Sequence, residues 1–110
     1  MLRKGERGFD PDRDKETEGY SSYDTWNVAL YLEHDRMLNH NAEVFMELYY
    51  IPELGHPYIQ FSAFYHYQLN GRKTPDGIPL SFRNPHLNLE ELDKELMEYR
   101  KELEDGTADH

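Results

Sequence analysis

Pro57-Tyr58-Ile59-Gln60-Phe61-Ser62-Ala63-Phe64-Tyr65-His66-Tyr67-Gln68-Leu69-Asn70 is the stretch on which the fold turns. Two periods run through it. Ile59, Phe61, Ala63, Tyr65, Tyr67 and Leu69 alternate as one side of a strand would. Phe61, Phe64, Tyr65 and Gln68 instead share a helical face. Pro57 suits the first turn of that helix, and Gly71 suits the position just past its end. A strand needs a neighbour to pair its backbone groups, and no other segment reads as a convincing partner. The helical reading is therefore preferred over the strand, and with it an all-α chain.

Toward the N-terminus, Ser21, Ser22 and Asp24 supply cap residues for a helix that runs to His34. Trp26, Ala29 and Leu30 share one of its faces, and Val28 and Leu32 form an adjacent stripe. A helix apolar over most of its circumference belongs in the middle of a core. Trp26 is expected as its anchor, with Asp24 or Thr25 as the cap. Asp35 reads as the cap of a second helix, in which Leu38, Ala42, Phe45 and Leu48 or Tyr49 recur at helical spacing. Pro52 and Gly55 end it. Toward the C-terminus, Thr74-Pro75-Asp76-Gly77 and Asn84-Pro85 mark a turn and an extended connector. Asn88 and Glu91 form a capping box. Leu89, Leu92, Leu96, Tyr99 and Leu103 then make one narrow apolar seam.

The expectation is a compact bundle of about four helices, near residues 23–34, 36–50, 57–69 and 89–104. Residues 20–105 form its single domain. Trp26, Leu30, Phe45, Leu48, Phe61, Tyr65, Leu92 and Leu96 are its expected core. Residues 1–19 mix charge with Gly and Pro and hold only Leu2 and Phe9 as large apolar groups. They read as a flexible charged tail, and residues 106–110 as a flexible C-terminus.

The chain has 110 residues, the size of one domain. Nine Tyr, five Phe and one Trp offset a modest supply of aliphatic residues as core builders. Cys is absent, which excludes disulfides and thiolate metal sites. No apolar run approaches the roughly 20 residues of a membrane span. The opening Met1-Leu2-Arg3-Lys4-Gly5-Glu6 lacks the apolar stretch of a signal peptide. A cytoplasmic protein without membrane association is expected.

The net charge is −10, with acid concentrated in residues 20–70 and 87–110. Such a field repels phosphate backbones and attracts basic protein surfaces. The one basic cluster is Arg72 and Lys73, with Arg83 nearby, so direct nucleic-acid binding is disfavoured. Tyr58, Tyr65 and Tyr67 read as core and boundary residues rather than base-stacking platforms.

Six His invite a metal reading, but His34 and His40 are six apart and do not share a helical face. The His pair four apart with an intervening Glu that would mark zinc is absent. His66 lies inside the aromatic segment, where a hydrogen-bonded boundary residue is the usual case. Ser21, Ser22, Ser62 and Ser81 lack the strained turn and partner base of a nucleophile. There is no glycine-rich phosphate loop. No catalytic residue, metal site or cofactor is expected.

The remaining candidate is the outer face of the last helix. Its partner-binding acids are read as Glu91, Asp93, Glu95, Glu98 and Glu102, opposite the apolar seam. The stretch Tyr23-Asp24-Thr25-Trp26-Asn27-Val28-Ala29-Leu30-Tyr31-Leu32 resembles the opening of a family of small uncharacterised proteins from bacteriophage, bacterial and archaeal genomes. In that family an Asn-Asp-Glu-Gly-Leu-like turn follows. Here it reads His34-Asp35-Arg36-Met37-Leu38, with only Asp35 and Leu38 in agreement. A later block like Thr74-Pro75-Asp76-Gly77-Ile78, then Asn84-Pro85 and a Leu-rich acidic helix, is similar to some relatives. The family brings no activity and no catalytic residue to carry over. The resemblance implies a phage or mobile-element origin.

Charge and resemblance together give the expected function. It is a small acidic protein that binds the basic surface of a protein partner and inhibits or modulates a host protein. Its narrowest form is a nucleic-acid mimic acting on a defence enzyme. The alternative is a self-associating module, a homodimer joined through the seam Leu89, Leu92, Leu96, Tyr99 and Leu103.

Overall fold

Ser22 opens the first helix by accepting the Thr25 amide on its hydroxyl at 3.1 Å. A computed structural model describes residues 2–65 and 71–108, with the side chains of the last helix described as far as Lys101. Among these residues four α-helices occur and no strand: α1 (Tyr23–His34), α2 (Arg36–Leu48), α3 (Pro57–Phe64) and α4 (Leu89–Ala108). A 3-10 turn at Pro52–Leu54 joins α2 to α3. The decisive stretch is therefore helical from Pro57 to Phe64; residues 66–69, which the expected helix also covered, lie outside the described residues.

Asp35 works at two helix ends. Its amide donates to the Tyr31 carbonyl at 2.8 Å, and its carboxylate accepts the Leu38 amide at 3.0 Å. One residue thus closes α1 and opens α2, as an Asp between two periodic runs predicts. The α3 helix has no cap of its own. His56 enters it in the left-handed region at φ 52°, and the Tyr58 amide is accepted by Asp93 of α4 at 2.8 Å. The expected capping box of α4 is only half made. Asn88 accepts the Glu91 amide at 3.2 Å, but its own amide donates to Thr25 Oγ1 at 2.8 Å.

The last helix is the centre of the bundle and packs on α1, α2 and α3. Leu92 and Leu96 are fully buried against Val28, Leu32, Ala42, Phe45, Met46, Tyr58 and Phe61. The connector contributes Ile78, Leu80 and Leu87 to the same core. Burial of this apolar surface, at roughly 25 cal/mol per Å², is the main force holding the bundle. Phe45, Phe61, Leu92 and Leu96 are buried as expected.

Four expected core positions differ. Tyr65 is half-buried and packs on the core edge. Leu48 is 65% exposed, because Met46 takes the inward place at the end of α2. Trp26 and Leu30 are half-buried. The inward face of α1 is Asp24, Thr25, Asn27, Val28, Ala29 and Leu32. Burying three polar residues is tolerable because each finds partners. Asp24 accepts from Arg13 Nε at 3.1 and 3.2 Å and from Asn84 Nδ2 at 3.0 Å. Asn27 donates to Asp76 at 2.7 Å and accepts from Thr74 at 2.6 Å.

The segment expected as a loose tail makes fixed contacts from Asp10 onward. The Tyr23 amide donates to the Arg13 carbonyl at 2.9 Å. Arg13 pairs with Asp24, and Asp14 with the His86 ring at 2.8 Å, both carboxylates being fully buried. Helix α4 continues to Ala108, past the residue 105 boundary read from the sequence.

Candidate functional site

A helix packed by three neighbours has little outward face left, and the expected acids of α4 reflect this. Glu91 accepts the amide and hydroxyl of Ser21 at 2.8 and 2.9 Å. Glu95 accepts the Tyr20 hydroxyl. Burial, then this bond, pushes the Tyr20 phenol up. Asp93 holds the Tyr58 amide, keeps only 17% of its side chain exposed, and lies 3.9 Å from His56. Burial raises its pKa against the opposing pull of the Tyr58 amide and His56. Glu98 is exposed. The Glu102 side chain lies outside the described residues. The structure therefore ties Glu91, Asp93 and Glu95 into intrachain bonds and leaves Glu98 facing solvent.

The seam offered for self-association is occupied by the chain itself. Leu92 and Leu96 are 0% exposed, and Leu89 and Tyr99 pack on the core. The Tyr99 hydroxyl donates to the Leu32 carbonyl at 2.9 Å. Leu103 lies outside the described side chains.

The four Ser hydroxyls are all in structural use. Ser22 bonds Thr25 and the His86 carbonyl, Ser21 bonds Glu91, and Ser62 and Ser81 accept the Phe82 and Arg83 amides. No group of three or more metal-ligating side chains occurs among the described residues. His86 is held by Asp14, while His34, His40 and His56 are exposed. His66 and His110 lie outside the described residues. An open depression of about 440 Å³ runs past Arg83, Asn84 and Asn88, and another of about 330 Å³ past Glu33, Glu95 and Glu98. Neither lining contains a nucleophile beside a base. No helix among the described residues is long and apolar enough to cross a membrane.

The most unusual exposed surface lies at the junction of α2, the 3-10 turn and α3. Leu48 and Leu54 are each 65% exposed, Phe64 50%, Ile51 48% and Tyr49 47%. Tyr49 and Phe64 stack with ring centroids 4.6 Å apart. The Gln60 side chain clasps the turn to α3. It accepts the Ile51 amide at 3.0 Å and donates to the Ile51 and Gly55 carbonyls at 2.9 and 2.6 Å. Gln60 and Phe64 are one helical turn apart on α3, so the clasp holds the 51–55 turn against the helix that carries Phe64.

Exposed Glu43, Glu47 and Glu53 lie in the same elements. Between Arg36 and Arg72 the sequence has no Lys, Arg or Asp. From outside this stretch, Arg100 donates to the Met46 carbonyl at 3.1 Å with its guanidinium 5.6 Å from the Tyr50 ring, and Arg72 reaches the Met37 sulfur at 3.8 Å. The sequence reading passed over this surface. Its signal was Ile51-Pro52-Glu53-Leu54-Gly55, apolar residues in a turn bounded by Pro and Gly, with no regular face to turn inward.

No protein-family model, curated protein or solved structure matches this chain.

Proposed function

We propose that this chain is a small acidic binding protein that docks on a basic surface of a partner protein and modulates or inhibits it. The observation that carries the reading is a surface with exposed Glu43, Glu47 and Glu53 and no Lys or Arg over residues 37–71. Three exposed carboxylates on a stretch with no Lys or Arg of its own add to the negative field of a chain of net charge −10. Such a field steers a basic partner into encounter. The resemblance of the Tyr23–Leu32 stretch to phage-borne proteins adds a host protein as the target. The nucleic-acid mimic is the less favoured form. A phosphate-like row needs consecutive outward carboxylates, and Glu91, Asp93 and Glu95 are engaged within the chain.

The test is capture from host lysate on the immobilised chain, washed from about 0.05 M to about 0.5 M salt, over which the Debye length shrinks several-fold. The parallel bait carries Glu43→Gln, Glu47→Gln and Glu53→Gln. A basic protein retained by the parent, eluted by salt and lost from the variant is the expected result. Retention that ignores both salt and the three substitutions overturns the reading.

A further inference from the structure

We infer that the Leu48, Tyr49, Ile51, Leu54 and Phe64 surface is a docking site for a partner-protein segment that presents apolar anchors flanked by Lys and Arg. This rests on the reading of the chain as an acidic binder and assigns the contact to one face. Five large apolar side chains at the end of α2, in the 3-10 turn and at the end of α3, each about half or more exposed, are the kind of surface that marks interaction sites.

The face is preorganised. Phe64 is fixed by Tyr49 at 4.6 Å and by Phe45 at 5.4 Å, and the 51–55 turn is pinned by three Gln60 bonds. A surface already ordered loses little entropy on binding. Aromatic side chains such as Tyr49 and Phe64 supply large contact area with few rotatable bonds.

Charge chooses the occupant. Exposed Glu43, Glu47 and Glu53 lie in the same α2 and turn elements as the apolar residues, and the sequence has no Lys or Arg between residues 36 and 72. A second copy in a two-fold contact would bring both sets of these acids into one interface. Anionic lipid and nucleic acid are repelled by the same carboxylates. A basic, apolar-anchored protein segment meets both parts of the face at once.

The experiment titrates the intact, isotope-labelled chain with a synthetic Leu/Lys amphipathic peptide and, separately, with its Leu/Glu counterpart, read by NMR. The expected result is saturable shifts at Tyr49, Ile51, Leu54 and Phe64 with the Leu/Lys peptide alone. Leu48→Asp and Leu54→Asp alter exposed side chains, so they should keep the parent spectrum elsewhere while each weakening binding about tenfold or more, as for interface anchors. Shifts confined to Glu90 and Glu98 overturn this inference but leave the acidic-binder reading standing. No binding of either peptide, with no salt-sensitive capture from lysate, removes both. Equal binding of the two peptides shows no charge selection and overturns the inference. A concentration-dependent doubling of mass abolished by Leu54→Asp makes the occupant a second copy and also overturns it. Contacts from Leu69 to Leu54 in the free chain would assign the face to the chain's own sequence and overturn the inference as well.

Discussion

Removing Arg13 should damage the fold more than neutralising its partner Asp24, although Arg13 lies in the segment that the sequence marks as a tail. The Asp24 side chain is 0% exposed, whereas that of Arg13 is 34% exposed. The Arg13 pKa is raised, chiefly by its hydrogen bond to Asp24. Its charge is thus fully present at neutral pH and would be lost only in strong alkali. In Arg13→Ala the Asp24 carboxylate stays buried with Asn84 as its remaining side-chain donor. Stranding a buried charge costs about 3–5 kcal/mol.

In Asp24→Asn the stranded group is instead the guanidinium, which can turn to water. The loss is then closer to that of charge-assisted hydrogen bonds, about 1.5–3 kcal/mol. Urea unfolding followed by far-UV circular dichroism measures both. With a slope of about 2 kcal/mol per M, a 4 kcal/mol loss lowers the midpoint by about 2 M. An Arg13→Ala midpoint equal to the parent's, or a larger loss in Asp24→Asn, would refute the assignment of Arg13 as the partner that makes burial of Asp24 tolerable.

Tyr58→Phe should cost about 1–3 kcal/mol, because the buried Tyr58 hydroxyl donates to the Leu80 carbonyl and its loss leaves that acceptor unmet; an unchanged urea midpoint would mean that the bond is not made. Asp93 has a raised pKa in the folded state, so the fold binds this proton more tightly than the unfolded chain does. Its contribution is most favourable below the ordinary carboxylate pKa of about 3.9 and declines as pH rises through the folded value. Asp93→Asn keeps an acceptor for the Tyr58 amide and abolishes that decline. Its stability relative to the parent should rise from acid to neutral pH, and a pH-independent difference would contradict the cause given. Trp26→Ala should cost about 1–2 kcal/mol, below the 3–5 of a fully buried aromatic, and Trp26 fluorescence should be that of a partly hydrated indole. A loss near 4 kcal/mol with blue-shifted emission would place Trp26 back in the core.

The helices were legible because each carries its own local signals. Ser22 and Asp35 cap, Pro57 and Gly55 punctuate, and Leu92 and Leu96 recur at helical spacing. Such signals act within a few residues, so a linear reading can find them. For Pro57–Phe64 the sequence only favoured helix over strand, on the ground that no other segment read as a partner to satisfy a strand's backbone. The site was far less legible. The acids of α4 looked outward because the apolar seam seemed to define its only buried side.

What only the tertiary structure decided is which polar residues face inward and which apolar ones do not. Burying Asp24, Thr25 and Asn27 depends on Arg13, Thr74, Asp76, Asn84 and Asn88, which reach them from distant parts of the chain. Those bonds turn α1 away from the face its hydrophobicity favours and leave Trp26 half-buried. Glu91, Asp93 and Glu95 are drawn inward by donors at Ser21, Tyr58 and Tyr20, and Leu48, Ile51 and Leu54 are left outside by the turn that ends α2. Hydrophobic period is a property of one segment and can be read from it. Hydrogen-bond satisfaction of a buried polar group is a property of several segments at once, and it exists only when the chain has folded.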